Sequence, residues 1–232
     1  MALSKIDLDK AGVTGTLPTA NLDTVGVAQG GTGITSGTTD QFLKFTGTTT
    51  LASAADNAGA LNFITEVSSS STHNGIVIDN CFTSTYENYL IIGDISVTNS
   101  GDTIRARMKS SSATLDGSQY TYRFQRYEAD SNTQGNDTRA TGETYFQLTE
   151  GLNDNSARVS YTFKMTIFDP VSASKRMGLR QESIAVSTGA VLQSIDGAGQ
   201  YKDQTSIVGI AFYPSANNFS NSTIRIYGIS NS

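Results

Sequence analysis

The clearest signal in the chain is a run of alternating positions. Val159, Tyr161, Phe163, Met165 and Ile167 alternate with Ser160, Thr162, Lys164 and Thr166. Such a run predicts a central strand with one buried face. Ile104, Ala106 and Met108 alternate with Arg105, Arg107 and Lys109, and Tyr120, Tyr122 and Phe124 with Thr121, Arg123 and Gln125. Tyr89 to Val97 and Thr205 to Tyr213 are more continuously apolar, which predicts strands covered on both faces for part of their length. Ser222 to Ile229 reads as a terminal strand. Turn signals separate these runs at Asn99–Asp102, Leu115–Ser118, Ser131–Asp137, Asp169–Pro170, Asp196–Gly199 and Pro214–Asn218. The count is about eight to ten short strands without an amphipathic helix, the pattern of an antiparallel β-sandwich, most simply a jelly roll.

The alternation stops on the N-terminal side of about residue 60. From Met1 to Gly59 the only aromatic residues are Phe42 and Phe45, and no strand or helix period is sustained. A single chain of this composition buries too little apolar surface to offset its ordering entropy. It is expected either to be disordered or to order against partners. Fully extended, it spans at most roughly 200 Å at ~3.3–3.6 Å per residue. The expected organisation is an anchor and stalk over residues 1–60 and a β head over residues 61–232.

Net charge and composition narrow the function. A charge of −5 argues against a duplex nucleic-acid binder, which needs a basic footprint. Charged residues make up only 16%, so the polar surface must come from Ser, Thr, Asn, Gln and Gly. Cys81 stands alone, which removes an intrachain disulfide and any cysteine-based metal site. The N-terminus lacks the apolar stretch of a secretory signal, and no run approaches a membrane span. The chain is expected to be made in a reducing cytoplasm and to leave it by assembly and lysis, without membrane insertion.

Catalytic readings find little purchase. A Ser/His/Asp triad would have to use His73, the single histidine, which lies in the polar stretch SSSSTHNG and reads as a solvated loop residue. Cys81 follows an apolar run and reads as a buried small hydrophobe. Glu143, Glu150 and Glu182 have no context that marks two of them as a glycosidase pair. Gly30-Gly31-Thr32-Gly33 lacks the following Lys of a phosphate loop, and has no strand before it or helix after it. Asp130, Asn132, Gln134 and Gly135 resemble the start of a calcium loop, but the twelfth position is Thr141 instead of Glu. The sequons at Asn136, Asn218 and Asn221 arise readily in a chain rich in Asn, Ser and Thr. The chain is therefore read as a non-enzyme with no cofactor and no metal.

Recognition is the chemistry that remains. Tyr120, Tyr122 and Phe124 share a core face, while Tyr127 lies opposite with Arg123. An exposed ring beside an arginine and amides suits a sugar or protein contact. The polar stretch Glu128–Gly142, expected as a loop, adds Asp130, Asn132, Gln134 and Asn136. A second expected contact loop, Pro214–Asn221, contributes Asn217 and Asn218.

The stretch GTLPTANLDTVGVAQGGTG, Gly15 to Gly33, resembles the N-terminal stalk segments of bacteriophage tail fibres and related virion appendages. The matching residues are Leu17, Pro18, Asn21, Leu22, Val25, Val27, Ala28 and Gly30 to Gly33. The opening MALSKI is similar to fibre N-termini from phages of marine bacteria, and the following TTDQFLKFTGTTTLAS also fits the pattern. The C-terminal part looks like the compact β-sandwich heads of such proteins. A single GGTG unit, where long fibres carry an array, points to a short appendage. The resemblance implies a homotrimer in which Leu22, Val25, Val27, Ile34, Phe42, Leu43 and Phe45 meet their symmetry mates. It also implies attachment to other virion proteins through the N-terminus and a head that contacts a host glycan or protein, with avidity from three copies. Alternatives left open are a virion adaptor or capsid-decorating fibre, a monomeric carbohydrate-binding module, and a glycan-degrading tailspike, the last disfavoured by the lack of β-helix repeats.

Overall fold

The structure is a computed structural model that describes residues 42–45, 51–54, 60–129, 134–152 and 161–230. The chain divides into two units, Met1–Asn57 and Ala58–Ser232. In the first unit β1 (Phe42–Phe45) pairs antiparallel with β2 (Leu51–Ala54). No strand is expected there from the sequence, because four alternating residues are too few to establish a period. Leu43 and Phe45 lie on one face of this hairpin, 57% and 62% exposed. Leu22, Val25, Val27 and Ile34 lie outside the described residues.

The second unit is all-β. Its strands are β3 (Leu61–Ser69), β4 (Ile76–Ile78), β5 (Asn88–Val97), β6 (Ile104–Lys109), β7 (Tyr120–Glu128), β8 (Gln134–Glu143), β9 (Phe146–Gln147), β10 (Tyr161–Phe168), β11 (Gly178–Val186), β12 (Leu192–Tyr201), β13 (Gly209–Pro214) and β14 (Phe219–Ile229). They form two antiparallel sheets of a β-sandwich. The larger runs β3-β14-β5-β10-β11-β12-β7-β8, and the smaller β4-β13-β6-β9. Two hairpin-like pairs widen the larger sheet. β7 and β8 fall in the chain between β6 and β9, and β11 and β12 fall between β10 and β13.

Inward-facing residues of both sheets share one core. Ile91, Ile95, Met165, Ile167 and Ile224 from the larger sheet join Ile76, Ile104, Met108, Ile210 and Phe212 from the smaller. The predicted two-faced burial appears at β13, where Gly209 to Phe212 are all buried. Tyrosine hydroxyls tie the layers together. Met108 N–H donates to Tyr120 Oη at 2.9 Å, and that hydroxyl donates to the Leu115 carbonyl at 2.6 Å. Tyr161 Oη donates to Gln181 Oε1, whose amide donates to the Leu148 carbonyl.

Several turn expectations are corrected by the fold. Asp196–Gly199, read as a turn, lies in the middle of β12. A Cβ on Gly199 would sit 2.6 Å from the Phe146 ring, and one on Gly197 2.8 Å from Phe124. These glycines are strand positions crossed by aromatic side chains, a contact that no local pattern announces. The expected loop Glu128–Gly142 is largely the strand β8, which pairs with β7. Gln134 to Asp137, part of the predicted Ser131–Asp137 turn, belong to that strand. Thr205 to Val208, expected in a strand, precede β13. Val159 and Ser160 fall outside the described residues, so the observed β10 opens at Tyr161.

His73 is also not the solvated loop residue expected. It forms an antiparallel bridge with Phe219, its Nδ1 lies 2.7 Å from the Ser71 carbonyl, and its Nε2 lies 3.0 Å from Ser222 Oγ. A carbonyl only accepts, so Nδ1 carries a proton. In the neutral ring Nε2 then accepts from the serine. Ser222 is fully buried, which makes this pair a clamp between the β3–β4 connection and β14. Cys81 is 2% exposed, and burial pushes its thiol up to about 12. Iodoacetamide at neutral pH should leave it unmodified in the folded protein and label it after denaturation. Rapid labelling of the native chain would contradict this packing.

Candidate recognition surface

The outer face of the larger sheet is apolar at one edge and carries arginines at the other, with Ile184 and Leu192 also exposed on β11 and β12. Register aligns Phe63, Tyr227, Leu90, Thr166, Arg180, Ala198, Arg123 and Arg139 in one row across all eight strands. The row starts apolar at β3 and ends cationic at β8. A neighbouring row runs Glu66, Arg225, Ile92, Lys164, Glu182, Asp196, Gln125 and Asp137.

At the β3 edge an apolar corner faces solvent. Leu61 is 45%, Phe63 61% and Phe168 40% exposed, and the half-buried Leu90, Tyr227 and Ile229 fill the space between them. Phe63 meets Tyr227 edge-on, with ring centroids 5.7 Å apart.

At the opposite edge lies an open trough of about 730 Å³ over β12, β7 and β8. Its outward residues are Ala198 and Gln200 on β12, Thr121 and Arg123 on β7, and Arg139 and Thr141 on β8. Ala198 makes a low floor because it stands between the long side chains of Arg180 and Arg123. Arg123 is held as a wall by Asp137: Nε to Oδ1 is 2.8 Å, and Nη2 to Oδ2 is 2.8 Å. Such an exposed pair adds little stability, but its two-point geometry fixes the guanidinium. Beyond this wall a second hollow of about 480 Å³ is lined by Gln125, Tyr127, Arg180 and Asp196. Tyr127 is 41% exposed, and its hydroxyl donates to Gln125 Oε1 at 3.2 Å.

The structure brings Arg123 and Tyr127 to one face, with Gln134 paired to Tyr127 across the hairpin. Asn136 lies in β8, while Asp130 and Asn132 lie outside the described residues. Asn217 and Asn218 are elsewhere. The first residue after their loop, Phe219, begins β14, five strands from β7, or ~24 Å along the sheet at ~4.8 Å per step. Asn217 is tied to Asp102, and the Asn218 carbonyl accepts from Thr98, so both support a turn. Arg139, Arg180, Ala198 and Gln200 carry no sequence mark that sets them apart as site residues. The available signal was Asp137, Arg139 and Thr141 alternating with Thr138 and Ala140, a period-two run without bulky apolar residues.

Compared with known proteins, the chain matches no family model, no curated protein and no solved structure.

Proposed function

We propose that the chain is a non-enzymatic structural protein of a phage virion, a tail fibre or similar appendage. Residues 1–60 would form the anchor and a short trimeric stalk, and the β-sandwich would be the recognition head. The observation that carries this reading is the division of one sheet face. An apolar corner lies on β3, the strand that follows the Gly/Thr-rich segment, and a trough walled by Arg123 and Arg139 lies at the far edge. Apolar surface at one end suits assembly with copies of the same chain. The strand order supports reading the head as a jelly roll, with β3-β14-β5-β10 opposed to β4-β13-β6-β9 and two added pairs extending one sheet. On this reading the trough exists because of those additions.

Purified full-length protein should bind host cells saturably and block adsorption of the phage that carries it. Binding should weaken in Tyr127→Ala. A protein that never blocks adsorption would instead have the joining role of an adaptor or decorating fibre. The trough by itself also favours a second reading, a monomeric carbohydrate-binding module, which differs in the mass of the assembly.

In the trimer we assign Leu61, Phe63 and Phe168 to head-to-head contacts, beside Leu43 and Phe45 in the stalk. Burying a Phe side chain is worth about 1.5–3 kcal/mol. Phe63→Asp should therefore raise the trimer's dissociation concentration by roughly tenfold or more, read by sedimentation across a dilution series. An unchanged dissociation curve would remove this corner from the interface.

A further inference from the structure

We propose that the trough over β12, β7 and β8 binds an acidic saccharide, with the ligand's anionic group on Arg139. The inference rests on reading the head as a recognition module. Arg139 stands directly opposite Arg123 in the β7–β8 register. Like charges in that position destabilise a sheet. Arg123 has its carboxylate in Asp137, but Arg139 makes no ion pair among the described residues. Lys202 brings a further cation to the rim, its Nζ donating to Thr141 Oγ1 at 2.8 Å. Cations gathered without matching carboxylates are a local conflict of the kind that functional sites retain. A bound anion resolves it, and a guanidinium fork suits a carboxylate or sulfate held at two points.

The surroundings favour a saccharide over other anions. The Thr121 and Thr141 hydroxyls lie 3.1 Å apart, and Gln200 stands beside them, giving donors and acceptors suited to sugar hydroxyls. Beyond Arg123 the exposed Tyr127 offers a flat ring for stacking. From the Gln200 row to the Tyr127 row is three steps of two residues, ~20 Å at ~3.4 Å per residue. That length accommodates a chain-like ligand. The carboxylates of Asp196 and Asp137 along the same path oppose a polyanion with a charge on every unit, such as a nucleic acid. A glycan with spaced acidic groups meets cations at one end and neutral or mixed groups at the other.

The test measures binding of the full-length protein to hyaluronate, gellan and xanthan, in which neutral sugars separate the carboxylates, each beside its carboxyl-reduced form, and to poly-L-glutamate. At least one acidic polysaccharide should bind roughly tenfold or more tightly than its neutral form and than poly-L-glutamate. Arg139→Thr should abolish that preference while melting no lower than the parent, because it removes a like-charge pair. Arg176→Thr, an exposed change outside the trough, should leave binding intact. Equal affinity for the neutral forms, equal affinity for poly-L-glutamate, or an indifferent Arg139→Thr overturns the assignment. Failure to bind any polysaccharide by a protein that still blocks phage adsorption also overturns it, and leaves the recognition reading standing. Failure in both assays removes the two together.

Discussion

Asp102→Ala should lower the stability of the head by about 3–4 kcal/mol. Asp102 is 2% exposed in the turn between β5 and β6. Its Oδ1 accepts from Ser215 Oγ at 3.0 Å and from the backbone N–H groups of Ala216 and Asn217 at 3.1 and 3.4 Å. Its Oδ2 accepts from Asn217 Nδ2 at 3.0 Å. The carboxylate thus holds the turn between β13 and β14 against the turn between β5 and β6. Alanine leaves two backbone donors, the Ser215 hydroxyl and a side-chain amide without this acceptor. Asp102→Asn keeps one acceptor but sets an amide against the Asn217 amide, and should fall between the two. Urea denaturation should show a lower midpoint at unchanged slope, and the Ala216 and Asn217 amides should exchange faster. A midpoint near the parent's would show that the turn holds without this anchor.

The second large effect is Tyr120→Phe, expected to cost about 2–3 kcal/mol. The phenol is fully buried and bridges the two layers, accepting from Met108 N–H on β6 and donating to the Leu115 carbonyl. Phenylalanine fills the same space and leaves both partners unpaired. Tyr122→Phe is the control. That residue is 7% exposed, and its hydroxyl makes no hydrogen bond among the described residues, so the change should stay within about 0.5 kcal/mol. Burial raises the Tyr120 phenol well above the ordinary tyrosine range. Its neutral form is therefore favoured in the folded state. That contribution is whole below about pH 10, the unfolded value, and is lost as pH rises through the folded value. The parent should lose stability above about pH 10 more steeply than Tyr120→Phe.

The strands that the sequence revealed are those with a simple division of faces. β6, β7 and β10 each set apolar residues against polar ones, and each folds as the alternation indicates. β12 escaped because Gly197 and Gly199 occupy inward positions that Phe124 and Phe146 cover from other strands. Its local composition is that of a turn, and the reason it is a strand lies in distant residues. β8 escaped because its described inward positions, Thr138 and Ala140, are small, which suits an edge strand at the rim of the sandwich. The candidate site divides the same way. Arg123 and Tyr127 were visible as the outward side of an alternating strand. Arg139, Arg180 and Ala198 became neighbours of Arg123 only through register with β8, β11 and β12. Asn217 and Asn218 looked like loop contacts because polar turn residues carry no mark distinguishing ligand binding from turn support.

On the proposed reading one sheet face has two roles: assembly at the β3 edge and recognition at the β8 edge. The recognition role is approached by the polysaccharide and adsorption measurements. The assembly role has a more direct test, because it fixes the number of chains. The mass of the intact full-length protein in solution, measured by native mass spectrometry and light scattering, should be three times that of the 24.6 kDa chain. A single-chain mass at micromolar concentration would contradict the appendage account and leave the monomeric carbohydrate-binding module in its place.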